Sequence, residues 1–68
     1  MKELVKGYLK SNVTVEGTTE TLWAVYPNGK IETCTRKYSS TFYEKSDVWT
    51  TTNELPEEAH FCGNYYMN

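Results

Sequence analysis

The stretch Leu22-Trp23-Ala24-Val25-Tyr26-Pro27-Asn28-Gly29-Lys30-Ile31-Glu32-Thr33-Cys34 decides how this chain folds. Pro27 presets φ at about −65° for the first central position of a type I turn, Asn28 tolerates the second, and Gly29 can adopt the left-handed conformation of a G1 bulge. A turn at this point sets the register of its two flanking strands. With Tyr26 paired to Lys30, Val25 falls opposite Ile31, Ala24 opposite Glu32, Trp23 opposite Thr33, Leu22 opposite Cys34 and Glu20 opposite Arg36. Side chains alternate across a strand, so one face carries Thr21, Trp23, Val25, Ile31, Thr33 and Thr35. The other carries Glu20, Leu22, Ala24, Tyr26, Lys30, Glu32, Cys34 and Arg36. The first face is apolar through its centre and edged only by threonine, which makes it the expected core face. The second mixes Leu22, Ala24, Tyr26 and Cys34 with charges and is expected to lie under a short helix or to face a partner.

Upstream of the hairpin, Val13 and Val15 alternate with Thr14 and Glu16, and Gly17 supplies a turn signal. Residues 3–15 are therefore expected to form one or two strands that extend the hairpin into a meander. Ten threonines agree with extended structure, because a β-branched side chain suits a half-exposed pleated surface. Downstream, Ser46-Asp47 is a turn signal and Val48-Trp49-Thr50-Thr51-Thr52 is rich in strand formers, which predicts a strand over about 47–52; residues 39–46 read as loop or strand extension. Leu55 precedes a proline and is pushed out of the α region. Pro56 suits the opening of a helix, Glu57 and Glu58 suit its positive end, and Gly63 can stop it. This predicts a helix from Pro56 to Cys62, with Leu55, Ala59 and Cys62 towards one side. The tail, Asn64 to Asn68, is either an ordered edge or a frayed end. The expected fold class is mainly β (α+β), a small curled antiparallel β-meander with one short C-terminal helix. Residues 1–68 make a single small domain with no linker.

Composition narrows the function. A chain of 68 residues buries only about 60% of the surface its unfolded form exposes, so a second core or a large enclosed pocket is not expected. No apolar run approaches the roughly 20 residues of a membrane span, and the first ten residues lack the apolar segment of a secretory signal. The expected location is the cytoplasm. Seven basic against nine acidic side chains give a net charge of −2, without the cationic footprint that duplex nucleic acid demands. In a reducing compartment Cys34 and Cys62 read as two small buried residues rather than a disulfide.

Candidate chemistry is sparse. Cys34, His60 and Cys62 are one ligand short of a structural zinc site and lack its paired spacing. Cys62 with His60 as base falls at the C-terminal end of the expected helix, where nothing lowers a thiol pKa. Glu57 and Glu58 are adjacent and point in different directions on a helix, so a role at its positive end explains them better than paired catalysis. The four glycines, at 7, 17, 29 and 63, are scattered as turn and cap residues rather than gathered in a phosphate loop. No enzyme activity, cofactor or metal is expected.

The aromatic residues remain. Ten Phe, Trp and Tyr side chains must first furnish the core, and Trp23, Phe42, Trp49 and Phe61 are assigned to it. The tyrosines left over, Tyr26, Tyr38, Tyr43, Tyr65 and Tyr66, together with Arg36, form the expected partner-binding surface, since tyrosine supplies interface area at low entropic cost. The resulting expectation is a non-enzymatic small protein-binding module that occludes a functional surface of another protein. Homodimerisation through an unpaired strand edge is open. The alternative is a single-stranded nucleic-acid-binding small β domain, suggested by Arg36, Lys37 and Tyr38 near Phe42, Tyr43 and Lys45. In its small size, the chain is similar to the small accessory proteins of bacteriophages that disable host machinery, which implies an inhibitor acting in the host cytoplasm. No motif carries that similarity.

Overall fold

The computed structural model describes residues 3–45 and 48–67. They form one six-stranded antiparallel sheet: β1 (Glu3–Thr14), β2 (Gly17–Val25), β3 (Ile31–Tyr38), β4 (Tyr43–Lys45), β5 (Thr50–Thr52) and β6 (His60–Met67). The spatial order is β4-β3-β2-β1-β6, with β5 also on the outer edge of β3. β4 pairs with Arg36–Tyr38 and β5 with Ile31–Thr33, so two short strands share one edge. The chain then passes through residues 53–59 to the opposite edge, where β6 pairs along Glu3–Leu9.

The central hairpin forms in the expected register, with Val25 opposite Ile31, Trp23 opposite Thr33, Leu22 opposite Cys34 and Glu20 opposite Arg36. Its turn is closed by the Tyr26 N–H donating to the Lys30 carbonyl (2.8 Å) and the Gly29 N–H donating to Tyr26 (3.0 Å), with Gly29 at φ +93°. Asn28 adds its side-chain oxygen as acceptor for the Lys30 N–H. Residues 3–14 make one long strand, and the turn into β2 begins where Thr14 meets Gly17.

Four expectations are corrected. First, there is no helix among the described residues, hence none long and apolar enough to cross a membrane. Pro56 opens only a single turn, in which the Ala59 N–H donates to the Pro56 carbonyl (3.1 Å), and His60 already begins a strand. A two-turn helix has little intrinsic stability, whereas the open edge of β1 offers peptide partners along most of residues 60–67. Second, the expected strand over 47–52 is shorter, Thr50–Thr52, and residues 39–46 contain β4 behind a turn closed by Ser39 and Phe42; positions 46 and 47 lie outside the described residues. Third, Phe42 and Phe61 are exposed, and so is Cys62.

The fourth correction concerns the core face. Trp23 is buried, but Val25 and Ile31 are only half-buried, and the buried cluster of Val5, Ala24 and Tyr26 lies on the face previously read as mixed, with Trp49 and Met67 packed against it. Cys34 and Glu20 are buried on that same face. The deciding pattern is in β1, where Val5, Gly7 and Leu9 stand in line with Ala24 and Leu22, while Lys6 and Lys10 stand in line with Val25 and Thr21. Two lysines mark the solvent side of a strand more firmly than threonines mark the core side of its neighbour. Trp23 is buried on the lysine-bearing face. The 53–59 segment comes near this side through the ion pair of Lys10 with Glu58 (3.2 Å), and its Leu55, Pro56 and Ala59 are half-buried. The Glu58 carboxyl is held below the usual range by a backbone hydrogen bond at its own residue and then by the Lys10 ammonium.

Between β1 and β6 Gly7 stands opposite Gly63, and the Tyr65 ring lies over the pair. A Cβ placed on Gly7 would sit 2.5 Å from that ring. Gly7→Ala is therefore expected to push Tyr65 off the sheet and to cost about 1–3 kcal/mol in denaturant unfolding. An alanine variant as stable as the parent would show that the ring does not hold this position.

Candidate functional site

The face that holds the core is only partly covered. Leu9 and Leu22, cross-strand neighbours near its middle, are half-buried and form the floor of a concavity of about 460 Å³. Trp49, Tyr65 and Met67 line it from the two edges, and Arg36, Cys62 and Tyr66 are also among its lining residues. The sheet positions these groups by register: alternate residues of β1, β2, β3 and β6 point to one side, and Trp49, just before β5, and Tyr65 supply the large rings.

Beside this concavity lies a polar cluster. Arg36 and Glu20 are directly opposite on β3 and β2, and the guanidinium Nε donates to the Glu20 carboxylate. Ser11, opposite Glu20 on β1, donates its hydroxyl to the other carboxylate oxygen at 3.3 Å. Glu20 is the buried charged residue among the described ones. The hydrogen bond to Glu20 is the main influence that raises the Arg36 pKa above its ordinary value; burial opposes it, and the charge of Glu20 and the Tyr43 hydroxyl add to it. The cation is thus paired within the sheet by Glu20, while its side chain stays about 33% exposed.

The six expected partner-binding residues separate into three groups. Arg36, Tyr38 and Tyr43 come together at one end of the sheet, where Tyr38 and Tyr43 stack with ring centroids 6.3 Å apart and planes at 27°. Tyr65 and Tyr66 lie on β6 at the opposite edge, about 50% and 70% exposed. Tyr26 leaves the surface set altogether. It is buried against Val5 and Ala24, donates its hydroxyl to Glu32 at 2.6 Å, and carries the Lys30 ammonium 4.3 Å above its ring. The residues missed by sequence reasoning are Leu9, Trp49 and Met67, which line the concavity with Leu22, already expected on a face under a short helix or towards a partner; the alternation of Val5, Gly7 and Leu9 with lysines was the signal that pointed to their face.

The Cys62 thiol donates to the His60 carbonyl at 3.4 Å, and Tyr65 donates its hydroxyl to the Cys62 carbonyl at the same distance. Cys34 is buried on β3, with β2 and β1 between it and β6, and neither cysteine is in a disulfide. Among the described residues no group of three or more His, Cys, Asp or Glu side chains is arranged to hold a metal ion. The chain matches no family model, no curated protein and no solved structure. Its functional reading therefore rests on this geometry.

Two outcomes follow for the polar groups. The Tyr26 hydroxyl is pushed from 10.0 up to about 12, first by its hydrogen bond to Glu32, then by burial and the nearby charges of Glu32 and Glu3. Because the folded value lies above the unfolded one, this contact stabilises the fold below pH 10.0 and loses that contribution as pH rises towards 12. In an alkaline absorbance titration, one of the six tyrosines should ionise late, and Glu32→Gln should bring it back towards the others. For the ion pair, Glu20→Ala should cost about 2–4 kcal/mol by leaving Arg36 without its acceptor. Glu20→Leu combined with Arg36→Met should recover most of that loss in chemical denaturation, and failure to recover would mean that Glu20 acts through something other than Arg36.

Proposed function

We propose that this chain is a non-enzymatic protein-binding module that inhibits its partner by covering a functional surface. The observation that carries the reading is the incompletely covered apolar floor of Leu9 and Leu22, both half-buried, set between Trp49 on one side and Tyr65 and Met67 on the other. A small domain gains stability by covering such residues, and leaving them accessible is costly unless another surface takes their place. The concavity suits an apolar side chain or short hydrophobic segment of a protein, with Tyr43 and Tyr65 as amphipathic residues around it. Since Arg36 is already neutralised by Glu20, recognition is by shape and apolar burial rather than by charge. In this proposal the module works in a reducing compartment, consistent with an exposed Cys62 thiol.

The single-stranded nucleic-acid reading loses support from the same contacts. Arg36 is occupied by Glu20, and Lys37 lies opposite Glu44 across the β3–β4 pair, so the backbone-tracking cations that such binding uses are offset by acids.

The test uses the whole chain as bait, followed by titration of the captured protein. Leu22→Glu, at a half-buried position on the floor of the concavity, should weaken binding at least about tenfold while circular dichroism retains the sheet. Tyr43→Ala should weaken it less, and affinity should change little with salt. Unaltered affinity in Leu22→Glu removes the concave face from the interface. Tight oligonucleotide binding that collapses with salt would replace this proposal by the nucleic-acid reading.

A further inference from the structure

Among the described residues the outer edge of β6 has no neighbour in the sheet, and the hydrogen-bond alternation identifies which of its peptide groups are left over. Tyr26 exchanges bonds with the β3 side of the hairpin through Lys30 and Gly29. Val25, one residue earlier, must therefore direct its peptide groups towards β1, because successive residues of an antiparallel ladder alternate in direction. Its partner Lys6 and the next such residue, Tyr8, face β2; Val5 and Gly7 face β6. Their partners Tyr65 and Gly63 face back to β1. Asn64 and Tyr66, between and beyond them, turn their N–H and C=O groups outward.

Natural edge strands are usually blunted by lysine, proline, inward charge or brevity. β6 is eight residues long, and its sequence His60-Phe61-Cys62-Gly63-Asn64-Tyr65-Tyr66-Met67 contains no Lys, Arg, Asp, Glu or Pro. The one irregularity, a register shift opposite Gly7 and Tyr8, falls near its start and leaves Gly63–Met67 regularly paired. The other edge of the sheet is unlike it. That edge consists of two three-residue strands on separate parts of β3, one of them bearing Glu44 and Lys45.

We infer that β6 pairs with β6 of a second copy of this chain, antiparallel about a two-fold axis, to make one continuous sheet across a homodimer. Self-complementarity selects this occupant. With no acidic, Lys or Arg side chain on β6, two copies meet there without placing like charges opposite one another, and the outward groups of Asn64 and Tyr66 match each other about a two-fold at Tyr65. The mismatch between the two edges of each sheet disfavours open head-to-tail stacking and leaves the closed isologous pair. With the axis at Tyr65, Asn64 of each copy exchanges hydrogen bonds with Tyr66 of the other, and the two Tyr65 rings become neighbours. An antiparallel pair of this kind has its two-fold perpendicular to the sheet, so both concave faces open to the same side. The inference does not depend on what those concavities bind.

The test is concentration-dependent mass measurement and amide exchange on the full chain. A two-chain species should appear as concentration rises, and exchange at the Asn64 and Tyr66 amides should slow about tenfold or more as it forms. Asn64→Pro removes an outward N–H, and Tyr66→Lys introduces like charges at the seam; both should remain monomeric where the parent is dimeric. Tyr43→Lys, on the other edge, should leave the dimer intact. If Asn64→Pro disturbs the monomer fold, Tyr66→Lys and parent-chain exchange still decide the matter. A parent that stays monomeric to about millimolar concentration overturns the inference, as does a dimer in which the Asn64 and Tyr66 amides exchange no more slowly.

Discussion

Gly7 of β1 and Gly63 of β6 stand opposite each other, and the Tyr65 ring occupies the space that their missing side chains leave above the sheet. This contact binds the C-terminal strand to the rest of the molecule at a point where both backbones lack side chains to pack. It places a large aromatic ring on the concave face, and Met67, two residues later, reaches the Val5, Ala24 and Tyr26 cluster. The opposite edge contributes Trp49 in the same manner. A chain with few aliphatic residues thus covers its core from the two margins with large side chains, rather than with a second layer of structure.

That solution has two consequences. The middle of the concave face, over Leu9 and Leu22, remains accessible because rings reaching in from the margins do not close over it. The polar requirement of the same face is met internally: Glu20 is satisfied by Arg36 and Ser11, and Tyr26 by Glu32. Among the described residues no buried side-chain nitrogen or oxygen lacks a hydrogen-bond partner. The charges on this face are therefore structural, and what it presents to another molecule is mainly apolar and aromatic surface.

The C-terminal segment shows where local reasoning reaches its limit. Leu55-Pro56-Glu57-Glu58 carries a good helix-opening pattern, and one turn does form at Pro56–Ala59. What stops it is an unpaired strand some fifty residues earlier in the chain, whose peptide groups are satisfied by residues 60–67. Phe61 illustrates the same point. A phenylalanine in a short chain is expected in the core, yet β6 pairing places it on the outer margin beside Tyr8, with ring centroids 5.6 Å apart at 66°.

The sequence by itself determined the hairpin. Pro27, Asn28 and Gly29 restrict the backbone within a few residues, so the turn and the whole β2–β3 register follow from local sterics. It also determined that the chain is mainly extended and antiparallel, through its threonines and alternating patterns. Only the tertiary structure decided which face of that hairpin is inside, where residues 60–67 go, and that Tyr26 is buried while Phe61 is not. Each of those depends on pairing between segments far apart in the chain. Alternation along one strand assigns its side chains to two faces, but which of them is buried depends on the strands and loops packed against each.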